Sequence, residues 1–173
     1  LFFHTVNKDL FVRCIQWLQE NGYSFISTEQ LITFIKGTDP IPDRAVWITF
    51  DDGWKENIHQ VIPVIIEYNI PVTFFITTDP IEHGGVFWWS YILRYGRYLP
   101  EDSNDIKKIR RIDEAKRKEL VKNLEDRFSN RFPLEAMSVD NVRSISKLPQ
   151  VTIGCHTVHH VIMPNCTDAE LDY

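Results

Sequence analysis

The amino-acid sequence predicts an α/β fold with a parallel sheet, and three features of the chain lead to this prediction. Residues 45–50 and residues 72–77 are continuous apolar runs, which are typical of strands buried on both faces of a parallel sheet. Between them, residues 55–68 carry isoleucine and valine at helical spacing, and Pro63 is expected to kink this helix. The order strand, helix, strand is typical of an α/β protein.

The N-terminal residues predict two shorter strands, each followed by a helix. Residues 1–6 predict the first strand, and the amphipathic helix after them ends at Gly22, where glycine has its usual place after a helix. Residues 23–26 predict the second strand. We expect Thr28 to cap the helix that follows, over residues 29–36.

We expect one domain over residues 1–173, with an aromatic and charged helical insertion at residues 79–135. The first part of this insertion, residues 79–100, predicts a loop-rich segment dense in aromatic side chains. Residues 102–128 predict a helical region in which basic and acidic side chains nearly balance. Such a balance is typical of a solvated helix face rather than of a charged binding patch.

The C-terminal part predicts a capped helix, a short strand and the first turn of another helix. Ser138 is expected to cap a helix that ends near Leu148. Residues 151–154 predict a strand that leads into a histidine-rich segment. Thr167 is expected to cap the last helix, with Glu170 three residues later completing a capping box.

Composition excludes several classes of protein. The net charge of -5 shows no basic excess, which argues against a nucleic-acid partner, and it fits a neutral or cationic sugar polymer without selecting one. No apolar run reaches the roughly 20 residues of a transmembrane helix, so we expect no such segment in this chain. Three cysteines are too few, and odd in number, for a disulfide framework.

The pair Asp51-Asp52 stands directly after the predicted buried strand at residues 45–50. In α/β folds ligands bind at this edge of the sheet, and adjacent residues leaving a strand point in different directions. One carboxylate can therefore coordinate a cation while the other acts as a base. A hairpin turn at Asp52-Gly53 is the alternative, which the helix predicted to follow disfavours.

The second candidate motif is His156-x-x-x-His160. A spacing of four places two imidazoles on the same side of one helical turn, where both can bind one metal ion. Together with one Asp they leave positions open for water and substrate. His159 in place of His160, or surface histidines without a metal, remain alternatives.

A structural zinc site is a further alternative for the same histidines. It would recruit cysteine ligands and the neighbouring imidazoles, namely Cys155, Cys166, His156 and His159. Their spacing matches no common zinc module, so we regard this interpretation as the weaker one.

These motifs resemble those of the polysaccharide deacetylases, carbohydrate esterase family 4, which carry the NodB-homology domain. The family's Thr-Phe-Asp-Asp-Gly motif is matched at residues 49–53, and its His-Ser/Thr-x-x-His motif at residues 156–160. Shorter partial matches to the family's sequence are Phe3-His4-x-Val6, Pro71-x-Thr73-Phe74-Phe75 and Ile153-Gly154. The resemblance covers nearly the whole chain, and its two main motifs occur in the family's order.

The resemblance implies an irregular (β/α) barrel, incomplete in this chain, and a metal-dependent hydrolase. It implies that Asp51 is the general base and that Asp52, His156 and His160 hold one divalent metal, usually Zn²⁺, with Co²⁺ or Ni²⁺ as alternatives. The Thr157 hydroxyl is expected to brace the histidine loop. The expected reaction removes N-acetyl groups from an acetylated amino-sugar polymer or oligomer.

Three departures from the family pattern qualify this expectation. Val161 stands where Pro is frequent after the second histidine, and Cys155 stands where Ser is frequent before the first. The later motifs, which supply a base-orienting Arg and a His general acid, would lie beyond residue 173. We therefore expect a chain that is the N-terminal portion of a longer domain, with little or no activity by itself.

Other functions and roles stay open from the sequence. Rival activities are hydrolysis of O-acetyl esters or small amides, and carbohydrate binding without catalysis. Trp88 and Trp89 are candidates for stacking on sugar rings, with a local core as the alternative. His4 and His59 are expected to be structural or exposed.

The compartment of the protein stays open from the sequence. The resemblance implies a secreted, periplasmic or cell-envelope protein, whereas the sparse cysteines favour a reducing compartment such as the cytoplasm. The oligomeric state is open.

Overall fold

The structure is a computed structural model, and it describes residues 1–128 and 132–172. Its centre is a four-stranded parallel sheet in the order β1-β4-β5-β6, accompanied by a two-stranded parallel sheet, β2-β3. The strands are β1 Phe2–Phe3, β2 Ser24–Phe25, β3 Ala45–Val46, β4 Thr49–Phe50, β5 Val72–Ile76 and β6 Val151–Cys155. The predicted α/β class with a parallel sheet is confirmed.

The helices cover the sheet and form the insertion. They are α1 Lys8–Glu20, α2 Thr28–Ile35, α3 Asn57–Gln60, α4 Ile62–Glu67, α5 Trp88–Tyr95, α6 Ile106–Ile109, α7 Glu114–Phe128, α8 Val139–Ile145 and α9 Asp168–Leu171. A π-helical turn spans Pro80–Gly84, and 3-10 turns span Gly96–Tyr98 and Met163–Asn165. Within the described ranges, none of these helices is long and apolar enough to cross a bilayer.

The main core lies along the sheet, where aromatic rings stack from strand to strand. The ring of Phe50 lies 5.3 Å from that of Phe3 and 5.2 Å from that of Phe74, with interplanar angles of 20° and 25°. Phe11 of α1 meets this row edge-on, and Phe11, Phe50 and Phe74 are fully buried. Burial of such rings contributes on the order of 1.5–3 kcal/mol each. The core thereby fixes β4 beside β1 and β5.

The apolar run at residues 45–50 was predicted as one strand, and this prediction is wrong. The run divides into β3, which pairs with β2, and β4, which pairs with β1 and β5. The chain changes sheets at Trp47 and Ile48. At this change of sheet, the indole N–H of Trp47 donates hydrogen bonds to the hydroxyls of Thr28 and Thr73.

The helix caps follow the predictions with one exception. Ser138 and Thr167 cap α8 and α9 and form capping boxes, which confirms both predictions. The cap of α2 is Ser27, whose hydroxyl accepts from the amide of Gln30. Thr28 was predicted in this role, but its hydroxyl hydrogen-bonds to Thr73 instead.

The helix predicted over residues 55–68 is divided at Pro63. This proline stands in the first turn of α4 and separates α4 from α3, so the structure has two short helices where one kinked helix was predicted.

The loop-rich structure predicted for residues 79–100 is wrong, because most of this segment is helical. Some of its aromatic side chains, among them Tyr91 and Tyr95, pack with α7 in a second, separate core, which supplies the packing that short helices need. The buried members of this core are Tyr91, Ile92, Leu99, Ile109, Val121 and Leu124. The helical structure predicted for residues 102–128 is confirmed as α6 and α7, with a turn between them.

Candidate metal centre and active site

Three metal-binding side chains converge at the carboxyl edge of the sheet. Asp52 follows β4, and His156 follows β6, which is separated from β4 by β5. Oδ1 of Asp52 lies 3.6 Å from Nε2 of His156 and 3.3 Å from Nε2 of His160. One ligand atom from each residue lies within 4.8 Å of the others. The structure thus brings together the three predicted ligands, although Asp52 stands more than a hundred residues before the two histidines in the sequence.

The backbone at these residues is in an uncommon conformation. Asp52, Thr157 and His160 have φ angles of 71°, 63° and 50°, in the left-handed region that non-glycine residues rarely adopt. Each such residue costs on the order of 1–3 kcal/mol, and this strain is typical of functional sites. The helical turn predicted for His156 to His160 is therefore wrong. A loop with two left-handed steps, rather than helical spacing, turns both imidazoles towards Asp52.

Two buried polar atoms of the site have no hydrogen-bond partner among the described residues. Oδ1 of Asp52 and Nδ1 of His160 are buried without a hydrogen bond, whereas Oδ2 of Asp52 accepts one from the Trp54 indole at 2.9 Å. Buried polar atoms are almost always satisfied, so an open carboxylate oxygen beside two imidazole nitrogens requires an explanation. A carboxylate and two imidazoles are the donor set of many catalytic zinc sites. The residues present fit a divalent metal ion.

The electrostatics of the site favour the protonation states that bind a metal. Burial raises the pKa of Asp52, but the neighbouring His160 and Trp54 side chains and the charge of His4 outweigh it, and the net pKa is lowered. Burial lowers the pKa of His156, as does the charge of His160, and Asp51 and Asp52 only partly oppose this. Asp52 therefore stays ionised and His156 stays neutral, as metal ligands must be.

Asp51, the predicted base, lies at the end of β4 beside this group and is half-buried. Its amide donates to the Phe3 carbonyl at 2.8 Å, which fixes the backbone there. Its negative charge raises the pKa of His156, so its carboxylate acts on the site electrostatically. The metal-binding group found in the described part of the chain contains Asp52 and excludes Asp51. The two adjacent acids are thus placed differently.

Sequence reasoning missed two residues of the site, His4 and Trp54. His4 is exposed, as predicted, but its Nε2 lies 4.0 Å from Oδ2 of Asp52 and it lines the same cleft. The signal for His4 was available, because it follows β1 and the carboxyl ends of parallel strands share one edge. Trp54 follows the Asp-Asp-Gly motif directly, yet nothing in the motif's spacing indicates its hydrogen bond to Asp52.

The histidine loop is held by hydrogen bonds to its backbone. The hydroxyl of Thr157 accepts from the Val161 amide at 3.3 Å, across the left-handed turn. The His156 amide donates to the Ile76 carbonyl at 2.8 Å and its carbonyl accepts from the Thr77 hydroxyl, so the loop continues the pairing of β6 with β5. The hydroxyl of Thr157 therefore contacts the loop backbone, and its role as a brace stays a prediction.

Trp88 and Trp89 line a cleft of about 750 Å³ that contains the three ligands. The Trp88 indole donates to the His160 carbonyl at 3.2 Å. The Trp89 ring lies 4.6 Å from the imidazole of His160 and stacks on Phe87 at 4.7 Å. Both tryptophans thus contact the ligand His160 as well as the cleft. The packing alternative is observed in these contacts, and sugar stacking stays a prediction.

The alternative ligands are placed elsewhere. His159 pairs with Asp79, its Nδ1 lying 3.6 Å from Oδ2, and it stands outside the group of three. Cys155 is exposed, and the thiol of Cys166 contacts the Ile162 carbonyl at 3.6 Å. In residues 1–128 and 132–172, the group able to hold a metal uses Asp52 rather than a cysteine. The structural zinc site is not assembled there.

Fold and site together define an α/β protein with a two-histidine, one-aspartate group at the carboxyl edge of a parallel sheet. Residues 38–173 match the model of the polysaccharide deacetylase family. The chain belongs to the polysaccharide deacetylase family, which confirms the resemblance seen in its motifs.

Relatives of known sequence share shorter stretches with this chain. It is 36% identical over 58 residues to the poly-β-1,6-N-acetyl-D-glucosamine N-deacetylase of Escherichia coli K12, covering 34% of this chain and 9% of the relative. It is 33% identical over 78 residues to the Staphylococcus epidermidis enzyme of the same name, covering 45% and 27%. The matched stretches thus span less than a third of these relatives' own length.

The fold is also found among solved structures. The structure of a de-N-acetylase from Aggregatibacter actinomycetemcomitans superposes with a TM-score of 0.53 at 20% sequence identity, covering 90% of this chain and 46% of that one. At this identity the likeness establishes the fold alone. The predicted NodB-type fold class is confirmed, and the strands described here form an open sheet rather than a closed barrel.

Proposed function

We propose that this protein is a metal-dependent hydrolase that removes N-acetyl groups from an amino-sugar polymer. One observation carries the proposal: the unpaired, buried Oδ1 of Asp52 faces Nε2 of both His156 and His160 at 3.3–3.6 Å, with Asp51 adjacent. This arrangement supplies a cation site and a separate carboxylate, the two parts that amide hydrolysis at neutral pH requires.

The residues divide the work between binding a metal and moving a proton. Asp52, His156 and His160 would hold the ion, and Zn²⁺ fits this donor set, with Co²⁺ and Ni²⁺ as alternatives. When bound, the ion supplies Lewis acidity towards water and towards the acetamide carbonyl. Asp51 accepts the proton of the attacking water at its carboxylate. Trp54 keeps Asp52 oriented through Oδ2, which leaves Oδ1 free.

The proposed substrate is an acetylated glucosamine polymer. Two relatives are named poly-β-1,6-N-acetyl-D-glucosamine N-deacetylases, and this polymer is our first candidate. The cleft has the size of a sugar-binding site and is lined by aromatic and apolar side chains around the three ligands, as expected for sugar rings. Trp89 is the ring best placed to meet a sugar beside His160.

The test measures metal content and acetate release in the same samples of the intact protein. Poly-β-1,6-N-acetyl-D-glucosamine is the substrate, and the variants are Asp51→Asn and Asp52→Asn. We expect Asp51→Asn to lose at least about 100-fold in rate while keeping its zinc, because a general base contributes roughly 10²–10⁴-fold. We expect Asp52→Asn to lose both the rate and the zinc. Asp140→Asn, an exposed carboxylate on α8, is the control and keeps both.

Other outcomes identify the rival functions. Release of acetate from O-acetyl esters alone would show an esterase, and zinc binding without any release would show a carbohydrate-binding relative. Zinc retained at full stoichiometry in Asp52→Asn would contradict the ligand set itself.

A further inference from the structure

A buried ion pair in the insertion lies against the wall of the metal centre. Glu114 is the first residue of α7 and Arg117 follows one turn later, with side chains exposed by 0% and 2%. Nε of Arg117 donates to Oε2 of Glu114 at 2.8 Å, and a second guanidinium N–H donates to Oε1. Burying such a pair is costly, and apolar side chains of the same volume often serve stability as well or better. Stability alone is therefore a weak explanation for it.

The guanidinium of Arg117 stacks on the indole of Trp88. Its Cζ lies 4.1 Å from the ring centroid, within the range of a strong cation–π contact. Glu114 accepts from two of the five guanidinium donors, one on Nε and one on Nη2, which holds the guanidinium over the ring. The orientation of the Trp88 ring is thereby tied to α7.

The opposite end of the same indole reaches the metal centre. Nε1 of Trp88 donates to the carbonyl oxygen of His160 at 3.2 Å. The backbone of His160 is left-handed, with φ at 50°, and its ring places Nε2 3.3 Å from Asp52. A donor on this carbonyl helps to hold a conformation that costs on the order of 1–3 kcal/mol.

His160 depends on such indirect support more than most metal-binding histidines. These usually donate their second ring N–H to a carboxylate or carbonyl, which fixes the ring. Nδ1 of His160 has no hydrogen-bond partner among the described residues. Its ring is positioned by its backbone and by contacts with Trp89 and His156, at centroid distances of 4.6 Å and 4.8 Å.

We infer that Arg117, held by Glu114, is a positioning residue of the metal centre that acts through Trp88 on His160. The inference rests on the proposed function, because it assumes that His160 binds the ion. It assigns a purpose to the insertion: α7 and α5 carry the support for one ligand of a site built on the sheet edge. Arg117 itself touches neither the ligands nor the substrate cleft.

The test is a double-mutant cycle in the intact protein, read out as the zinc dissociation constant by competition with a chromogenic chelator. One arm is Glu114→Gln with Arg117→Met, which removes both charges together and leaves no unpaired buried ion. The other arm is Trp88→Phe, which keeps an aromatic ring and removes the N–H. We expect each arm to weaken zinc binding by about 10-fold, as loss of an indirect ligand support typically does.

The variant that combines both arms decides whether Arg117 affects zinc binding through Trp88. If Arg117 works through Trp88, adding the charge-pair change to Trp88→Phe causes no further loss, so the combined loss stays near 10-fold instead of reaching about 100-fold. The visible absorption bands of the Co²⁺-loaded protein should shift alike in both arms, since both displace the same ligand. Arg94→Met is the matched control, because Arg94 stacks on Phe132 in the same insertion at 4.8 Å without reaching the site.

Several results would overturn the inference. They are unchanged zinc affinity in either arm, multiplicative losses in the combined variant, and an equal loss in Arg94→Met. If the variant with the neutral pair fails to fold, Arg117→Lys replaces it, because lysine keeps the charge pair and removes the planar guanidinium. Arg117→Lys must then weaken zinc binding when Trp88 is present and must have no further effect in Trp88→Phe. Failure of the unmodified protein to bind zinc would instead contradict the proposed function.

Discussion

Asp52 uses its two oxygens differently, and Trp54 is responsible for the difference. Oδ2 accepts the indole N–H of Trp54 at 2.9 Å, while Oδ1 faces the imidazoles without a hydrogen bond. The carboxylate is 2% exposed, so water does not replace a lost donor easily. Trp54 therefore both orients the carboxylate and stabilises its charge.

Replacing Trp54 by Phe should weaken metal binding while the chain still folds. We expect the zinc dissociation constant to rise about 10-fold, because the carboxylate loses the donor that orients it. Chelator competition measures this constant, with thermal unfolding as the check on folding. Trp47→Phe is the matched control, since that indole donates to Thr28 and Thr73 instead. Equal losses in the two variants would show that Trp54 acts only on stability.

The charge state of His156 gives a second prediction at the residue scale. Burial first, and then the charge of His160, hold its pKa below the ordinary value of 6.5, whereas Asp51 raises it. A lowered pKa keeps the imidazole neutral and available to a metal below pH 6.5. Because Asp51 opposes the shift, Asp51→Asn should lower the pKa further, and Asp140→Asn should leave it unchanged.

This titration can be followed by NMR of the His156 ring in the metal-free protein. A pKa above 6.5 would contradict the account of burial. An upward movement in Asp51→Asn would contradict the placement of Asp51 beside the ring.

At the residue scale the sequence predicts which residues gather at the site better than it predicts the contacts around them. Asp51, Asp52, His156 and His160 stand in two compact motifs, so their spacing along the chain carries the signal. Contacts such as those of Arg117 with Trp88, or of Trp88 with His160, join distant segments. Those contacts depend on which strands and helices are neighbours, and no local pattern records that.

Among the strands, β6 has a strict packing requirement at Gly154. A Cβ atom at Gly154 would lie 2.6 Å from two ring atoms of Phe75 on β5, too close for non-bonded carbon atoms unless the ring or the strand shifts. Glycine here lets β6 approach β5, and His156 follows two residues later. The position of this ligand therefore depends on close packing between two strands.

Substituting Gly154 by Ala should disturb both the fold and the site. We expect a loss of about 1–3 kcal/mol in the free energy of unfolding, the usual cost of overpacking, and weaker zinc binding because the end of β6 moves. Chemical denaturation and chelator competition measure the two effects. Thr152→Ala, at an exposed position on the same strand, should change stability by no more than about 0.5 kcal/mol. A stable Gly154→Ala variant with unchanged zinc affinity would contradict this view of β6.

Sequence patterns predict most of the strands and two of the three helix caps, at Ser138 and Thr167, because these depend on local periodicity and local hydrogen bonds. The same reasoning fails for residues 79–100, whose helices are stabilised by burial against α7. It also fails for the segment from His156 to His160, where left-handed residues replace the expected helical turn. In both cases tertiary contacts override the local preference.

At the scale of the whole molecule, two cores meet at one site. The sheet and its aromatic row carry Asp52 and His156, while the insertion, with its own core, supplies Trp88 and Trp89. The α/β class follows from the order of apolar runs, and the edge at which the site lies follows from the parallel arrangement. The docking of the insertion onto that edge could not be predicted, because it depends on side-chain packing between segments far apart in sequence.

The central claim is that Asp52, His156 and His160 together bind one divalent metal ion. X-ray absorption spectroscopy of the zinc-loaded, intact protein tests it most directly, because the spectrum reports the ligand atoms themselves. We predict nitrogen and oxygen neighbours of the ion at about 2.0–2.2 Å, two of them from imidazoles, and no sulfur. A sulfur shell at about 2.3 Å, or a spectrum unchanged in Asp52→Asn, would contradict it.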